Sequence, residues 1–311
     1  MLILPRRIGL LVTFLGTLIL PALAVAQEQL VPCDGVPLNC IDSINPSAPD
    51  ANKARNAVVR LLGTGRYTDT NEAFSYCGTG FLVPNTYTIN GQTCSTIVTA
   101  GHVLAGVSSG RPYVAVGIKA EFFYTPKPAR VCGTLGSDEC WAHPNTCATP
   151  VAVTASCWEK DPRGYDLGRI FVPTGLVPAG AAPLTLAGAI AVSMPVWIPG
   201  HPLGRCMEWS QHAIGNLYGS TFTYNVSTEG GSSGSPVLLK DFGNTVAGVH
   251  VGTYAGNVCP NEAVNVNTLS QFLALAPPQK CIPTMSEWGL LVLGLLTLTS
   301  GTLVMRRAAV L

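Results

Sequence analysis

The sequence predicts an all-β protein, and three observations carry that expectation. Its apolar runs are of strand length, about four to eight residues, and turn residues separate them. Glycine (33) and proline (24) are abundant enough to end many short strands. No amphipathic helix of roughly 10–15 residues alternates with the strands, which argues against a parallel sheet of βαβ units.

Composition narrows the classes further. The 311 residues suffice for one large domain or two subdomains, each with its own core. A net charge of +1 without any Lys/Arg cluster argues against a nucleic-acid partner. None of the eleven cysteines forms a C-x-x-C pair, and the intervals among Cys132, Cys140, Cys147 and Cys157 are too long for a zinc ribbon. Disulfides in an oxidising compartment explain them better, with one cysteine left over. The five histidines are scattered and no H-E-x-x-H occurs, so neither a metal nor another cofactor is expected.

Taken in order, the chain opens with Arg6-Arg7, an apolar run over residues 8–20, and Ala24-Val25-Ala26. That order is a secretory signal, assigned to residues 1–26 with cleavage after Ala26. Residues 27–52 are polar and form a leader, a propeptide or a surface tether. Strand-like segments follow at 56–62, 80–83, 95–98 and 113–118, with turns at Thr64-Gly65, Pro84-Asn85 and Asn90-Gly91. Residues 127–162 hold four cysteines and several prolines and read as a looped, disulfide-tied insertion. Strands resume at 167–171, 189–197, 222–226, 236–240, 246–251 and 263–266, and residues 268–275 suit a short closing helix. These elements make one folded body over residues 53–276.

The end of the chain is of another kind. A linker occupies residues 277–287, and residues 288–305 are almost wholly apolar before Arg306-Arg307. As a helix, those 18 residues would be about 27 Å long, enough to cross a bilayer. Trp288 at one flank and the arginines at the other place residues 306–311 in the cytoplasm and the body outside it.

The chemistry concentrates in Glu229-Gly230-Gly231-Ser232-Ser233-Gly234-Ser235-Pro236. Glycines on both sides of a serine permit a turn that exposes one hydroxyl and aims neighbouring N–H groups at a common point. Serine needs an imidazole to take its proton and a carboxylate to orient that imidazole. His102, Asp166 and Ser233 supply the three in that order, with Asp161 a rival carboxylate and Ser232 a neighbouring hydroxyl. A metal-dependent hydrolase and an α/β-hydrolase esterase fit less well; the latter needs glycine where Ser235 stands and another residue order.

Four blocks resemble chymotrypsin-fold serine proteases: Cys77-Gly78-Thr79-Gly80-Phe81-Leu82-Val83, Ile97-Val98-Thr99-Ala100-Gly101-His102-Val103-Leu104, Asp166-Leu167-Gly168-Arg169-Ile170 and Gly231-Ser232-Ser233-Gly234-Ser235-Pro236. The resemblance implies two antiparallel six-stranded β-barrels with the active site between them. It implies His102 as general base, Asp166 as its orienting carboxylate, Ser233 as nucleophile, and the N–H groups of Gly231 and Ser233 as oxyanion hole. The segments around Tyr224–Val237 and Ala247–Gly252 resemble bacterial glutamyl endopeptidases most, which implies Thr228 and His250 as binders of an acidic side chain. A peptide or protein substrate follows, with a catalytically inactive, protease-like binding module as the alternative. Disulfides Cys77–Cys94 and Cys206–Cys259 are expected around the site. Ile282-Pro283-Thr284-Met285 and the apolar span resemble IPTL-type sorting signals, which implies a sorting or processing enzyme as a further partner and membrane attachment through the tail.

Overall fold

The computed structural model describes residues 38–40, 50–126, 147–241, 243–254 and 259–278. The signal at 1–26, most of the leader, and the whole apolar tail fall outside them. Among the described residues, no helix is long and apolar enough to cross a membrane.

A two-residue strand β1 (Asn39–Cys40) and a helix α1 (Ala51–Ala57) lead into the first of two sheets. That sheet contains β2 (Val58–Tyr67), β3 (Ala73–Ile89), β4 (Gln92–Thr99), β5 (Ala105–Ser108), β6 (Arg111–Phe122), β7 (Val151–Thr154), β8 (Cys157–Lys160) and β9 (Gly168–Pro173). Its order is β5-β6-β2-β3-β4-β9-β8, with β7 on β6. Between β7 and β8, Ala155 N–H donates to Ile118 C=O and Ser156 N–H to Phe171 C=O, so one broken strand joins β6 to β9 and rolls the sheet into a barrel. The four-residue helix α2 (Gly101–Leu104) leaves the end of β4.

The second sheet contains β10 (Pro195–Gly200), β11 (Glu208–Tyr218), β12 (Thr221–Tyr224), β13 (Pro236–Leu239), β14 (Thr245–Thr253) and β15 (Asn261–Asn265). Its order is β1-β11-β10-β13-β14-β15-β12, and β12 also pairs with β11, which closes the ring. The helix α3 (Val266–Leu273) ends the body, capped by the Asn265 side chain on the Thr268 N–H.

The two expected barrels are present, though among the described residues their sheets hold seven and eight strands rather than six each. A six-member ring underlies each, extended by β1 on β11 and by β5 on β6, while the closing strand of the first is split at Ala155-Ser156.

Alternation of side chains explains the cores. In β10, Val196 and Ile198 point into the second barrel while Trp197 points out of it. In β13, Val237 and Leu239 point in and Leu238 out. The outward residues meet Phe81, Val83 and Val98 of the first barrel in a core between the two bodies, where Trp197 and Trp209 pack edge to face at 6.1 Å. Strands buried on both faces read as unbroken apolar runs, which is why 236–240 and 246–251 stand out in the sequence.

Chain order and spatial order part at the C-terminus. Arg169 of the first barrel donates to the carbonyls of Leu275 (3.1 Å) and Ala276 (2.8 Å), and the Tyr87 hydroxyl donates to that of Leu273. The chain that finishes the second barrel is thus fastened to the first.

Both expected disulfides fail. Cys206 is bonded to Cys147, and Cys94 is a free, buried thiol. Cys94 lies opposite Tyr87, ten positions along β3 from Cys77, far more than the Cα separation of about 5.5 Å that a disulfide spans. Cys77 and Cys259 are disulfide-bonded, but not in the expected pairs.

Candidate active site

His102 sits on α2 directly after β4, and Asp166 lies two residues before β9. The β4–β9 ladder sets Thr99 opposite Gly168, and continuing that register brings Gly101 to Asp166. Only a residue without Cβ fits there: a methyl on Gly101 would stand 2.9 Å from Asp166 Oδ1 and 2.8 Å from the Leu167 carbonyl. The carboxylate consequently binds His102 twice, accepting from its backbone N–H at 2.6 Å and meeting Nδ1 at 2.7 Å. Two contacts fix both the position of the ring and which nitrogen carries the proton. Burial pushes the Asp166 pKa upward, but the hydrogen bonds and charge of His102 outweigh it and hold the carboxyl below its ordinary value. Tyr113 of β6 completes the frame by donating its hydroxyl to the His102 carbonyl.

The other candidate carboxylate is engaged elsewhere. Asp161 is buried and committed to Arg163, at 2.7 Å.

Ser233 comes from the turn before β13, and Thr79 of β3 docks that turn on the first barrel. Thr79 N–H donates to the Ser233 carbonyl (2.9 Å), its hydroxyl donates to the Gly231 carbonyl (2.8 Å), and Thr99 donates to the Thr79 carbonyl (2.7 Å). Thr99 is three residues from His102, so these bonds bring the serine turn beside the histidine. Gly234 has φ +89° and lies so close to β3 that a Cβ would fall 2.0 Å from the Thr79 carbonyl oxygen. Ser232 is buried with its Oγ accepting from the Glu229 N–H, whereas Ser233 is half-exposed. His102 and Ser233 are not hydrogen-bonded to one another, a common state for such pairs before substrate arrives.

The two residues expected to read an acidic side chain belong to one wall. Thr228 Oγ donates to Asn261 Oδ1 at 3.1 Å, and His250 Nδ1 meets the Tyr224 hydroxyl at 2.6 Å. Tyr224 and Asn261 are register partners on β12 and β15. His250 is also tied to the serine turn, its carbonyl accepting from Gly234 N–H (2.8 Å) and its N–H donating to Ser235 C=O (2.9 Å). The sequence pointed to Thr228 and His250 but not to Tyr224, Thr79 or Tyr113, whose roles are visible only once the strands are paired.

Residues 78–249 match the trypsin-like peptidase domain. The chain belongs to that family. It is a serine endopeptidase, a hydrolase acting on peptide or protein substrates. Among solved structures, the active form of the Rv3671c protease of M. tuberculosis is 18% identical, with a TM-score of 0.51, covering 80% of this chain and 93% of that one. It shares the fold. A Glu endopeptidase solved with MPD is 16% identical (TM-score 0.47, 70% and 89% covered), and the protease Anisep of Arthrobacter nicotinovorans 14% (TM-score 0.47, 71% and 96%). No curated protein sequence matches the chain. The described residues contain no cluster of His, Cys, Asp and Glu fit for a metal ion.

Two buried histidines give the peptidase a pH signature. Burial pushes both His201 and His250 from an ordinary value of 6.5 down to about 3. Both are neutral in the folded state and protonate near 6.5 once unfolded, so their contribution is whole above pH 6.5 and is lost as pH falls toward 3. At pH 5 each is expected to cost about 2 kcal/mol relative to pH 7.5. Thermal unfolding at the two pH values checks this: a His201→Gln variant should lose about half of the wild-type drop. An unchanged pH dependence in that variant would remove His201 from the account.

Proposed function

We propose that the peptidase hydrolyses peptide bonds through an acyl-enzyme on Ser233. Ser233 Oγ attacks the scissile carbonyl carbon while His102 Nε2 takes its proton. The carbonyl π electrons move onto oxygen, and the N–H groups of Gly231 and Ser233 receive that negative charge. Collapse expels the amine, which takes the proton back from His102, and leaves the acyl group on Ser233. Water then attacks the acyl carbon as the same imidazole takes its proton, the bond to Ser233 Oγ breaks to release the acid, and His102 returns the proton to that oxygen. The observation that carries this reading is the double hydrogen bond from His102 to Asp166, next to a half-exposed serine on a glycine turn. A fluorophosphonate that labels the wild type but not Ser233→Ala tests it. No labelling of the wild type would favour the binding-module alternative.

The proposed preference is for a glutamate or aspartate side chain before the scissile bond. His250 supports it, being buried, neutral and hydrogen-bonded to Tyr224. The Tyr224 hydroxyl meets His250 Nδ1 at 2.6 Å and donates to the Glu262 carbonyl at 3.3 Å. When that hydroxyl turns to donate to Nδ1 instead, the ring proton sits on Nε2, where it can serve a carboxylate without a buried positive charge. The Thr228 hydroxyl adds a second donor on turning away from Asn261. In a peptide library, cleavage after Glu is expected to exceed cleavage after Ala by about tenfold or more, and Thr228→Val to lose about tenfold of that selectivity. Preference for Lys/Arg or small apolar side chains would end this assignment.

The same proposal includes export by residues 1–26, a catalytic body at 53–276 outside the cytoplasm, and attachment to the cell envelope through 288–305 with 306–311 inside. A sorting or processing enzyme acting at the tail would decide between the anchored and released forms.

A further inference from the structure

The turn that carries Ser233 is tied to a buried charge cluster. Arg205 and Glu229 form an ion pair at 2.6 Å with both side chains 1% exposed. Arg205 also grips both oxygens of Glu208, at 3.0 and 2.9 Å. Burial disfavours the guanidinium charge, but Glu208 and Glu229 outweigh it and raise the Arg205 pKa. Glu229 immediately precedes Gly230-Gly231, and a second tie acts on that peptide: Leu203 N–H donates to the Gly230 carbonyl at 2.5 Å. In a trans peptide the following N–H points the opposite way, so this bond aims the Gly231 N–H away from Leu203. Gly231 itself has φ +90° and presses on the same segment, where a Cβ would meet the His201 carbonyl at 2.8 Å.

The segment is stiff on its own account. His201 Nδ1 bonds the Arg205 carbonyl (2.9 Å), Arg60 of the first barrel donates to the Gly204 carbonyl (2.7 Å), and Cys206 is bonded to Cys147.

We propose that Arg205 is a positioning residue for the reaction: its ion pair with Glu229 sets the peptide plane whose N–H completes the oxyanion hole. This rests on the reading that the Gly231 and Ser233 N–H groups receive the oxyanion. Without its counter-charge, the Glu229 carboxylate leaves its dry site for water and draws Gly230 with it. The glycine peptide is then free to turn over, presenting a carbonyl oxygen where an N–H should face developing negative charge. That penalty falls on the transition state far more than on bound substrate. Lysine cannot replace the function in full, because only the guanidinium fork reaches both carboxylates at once.

The test compares Glu229→Gln and Arg205→Lys with wild type, using a cleavable peptide, a peptide boronate that forms a tetrahedral adduct, and fluorophosphonate labelling. Phe272→Leu, on the buried face of α3, is the control for loss of stability alone. Expected in both variants is a fall in kcat of about 10- to 100-fold with KM within about twofold. Boronate affinity should fall in parallel, and free guanidinium should restore part of the activity of Arg205→Gly. A Glu229→Gln enzyme with wild-type kcat and boronate affinity, whatever its melting temperature, would overturn the proposal. Absence of Ser233 labelling in the wild type would instead sink the acyl-enzyme reading, and this inference with it, so the two failures are told apart.

Discussion

Ser233→Ala is expected to lower kcat by about 10⁶-fold, leaving only what the remaining site and binding can do. No neighbouring hydroxyl can substitute. Ser232 is buried, and Ser235 is fully buried with its Oγ donating to the Ser232 carbonyl at 2.6 Å. The fold should be indifferent to the change, because the turn is held through the Ser233 carbonyl and not its hydroxyl. Stability within about 0.5 kcal/mol of wild type is therefore expected. Burst-phase kinetics and a thermal melt on the same preparation read both quantities. Residual turnover above about 1% of wild type would place the nucleophile elsewhere.

Asp166→Asn is expected to cost about 10⁴-fold in kcat without unfolding the protein. The carboxylate accepts from two donors of His102, one with each oxygen. An amide offers one acceptor and one donor in the same space. If the amide NH₂ faces Nδ1, that nitrogen must accept, the ring proton moves to Nε2, and the imidazole can no longer take a proton from serine. If it faces the His102 N–H instead, two donors oppose each other and α2 shifts. Either arrangement disables the base. Asp161 cannot deputise while Arg163 occupies it. Steady-state kcat, with the His102 tautomer followed by nitrogen NMR, is the measurement. A loss under tenfold would remove Asp166 from its assigned role.

What the sequence disclosed depended on how local the cause was. The Asn90-Gly91 hairpin is legible because both residues take positive φ, at +50° and +78°, as that turn requires. The motif around His102 was legible for a similar reason, since Gly101 answers to a neighbour fixed by the adjoining ladder. Thr64-Gly65 misleads: Gly63 and Gly65 lie inside β2, where the rings of Tyr76 and Phe74 fill the places their side chains would take. Pro84-Asn85 misleads in another way. It is an irregularity within β3, the register shifting between Val83 and Thr86, and not a chain reversal. Residues 56–57 complete α1 before the strand starts, and the expected strand at 189–197 begins only at Pro195. The insertion at 127–162 hid β7 and β8 because four-residue strands carry too little pattern to be seen.

At the site, residue types with few structural uses were legible and their supports were not. The turn Gly231-Ser232-Ser233-Gly234 gains weight only in company with the segments around His102 and Asp166. Thr79 reveals its part only through partners on the Gly231, Ser233 and Thr99 segments, up to 154 positions away by number. Arg205 and Glu229 are likewise separated by 24 positions and joined only in space.

The grip of Arg169 on residues 275 and 276 has a mechanical consequence. Load applied to the chain beyond Ala276 arrives at a guanidinium in the first barrel before it can reach the ring of strands that bears Ser233. A leash on this end would therefore pull first on β9, the strand that follows Asp166, and only afterwards on the strands beside Ser233.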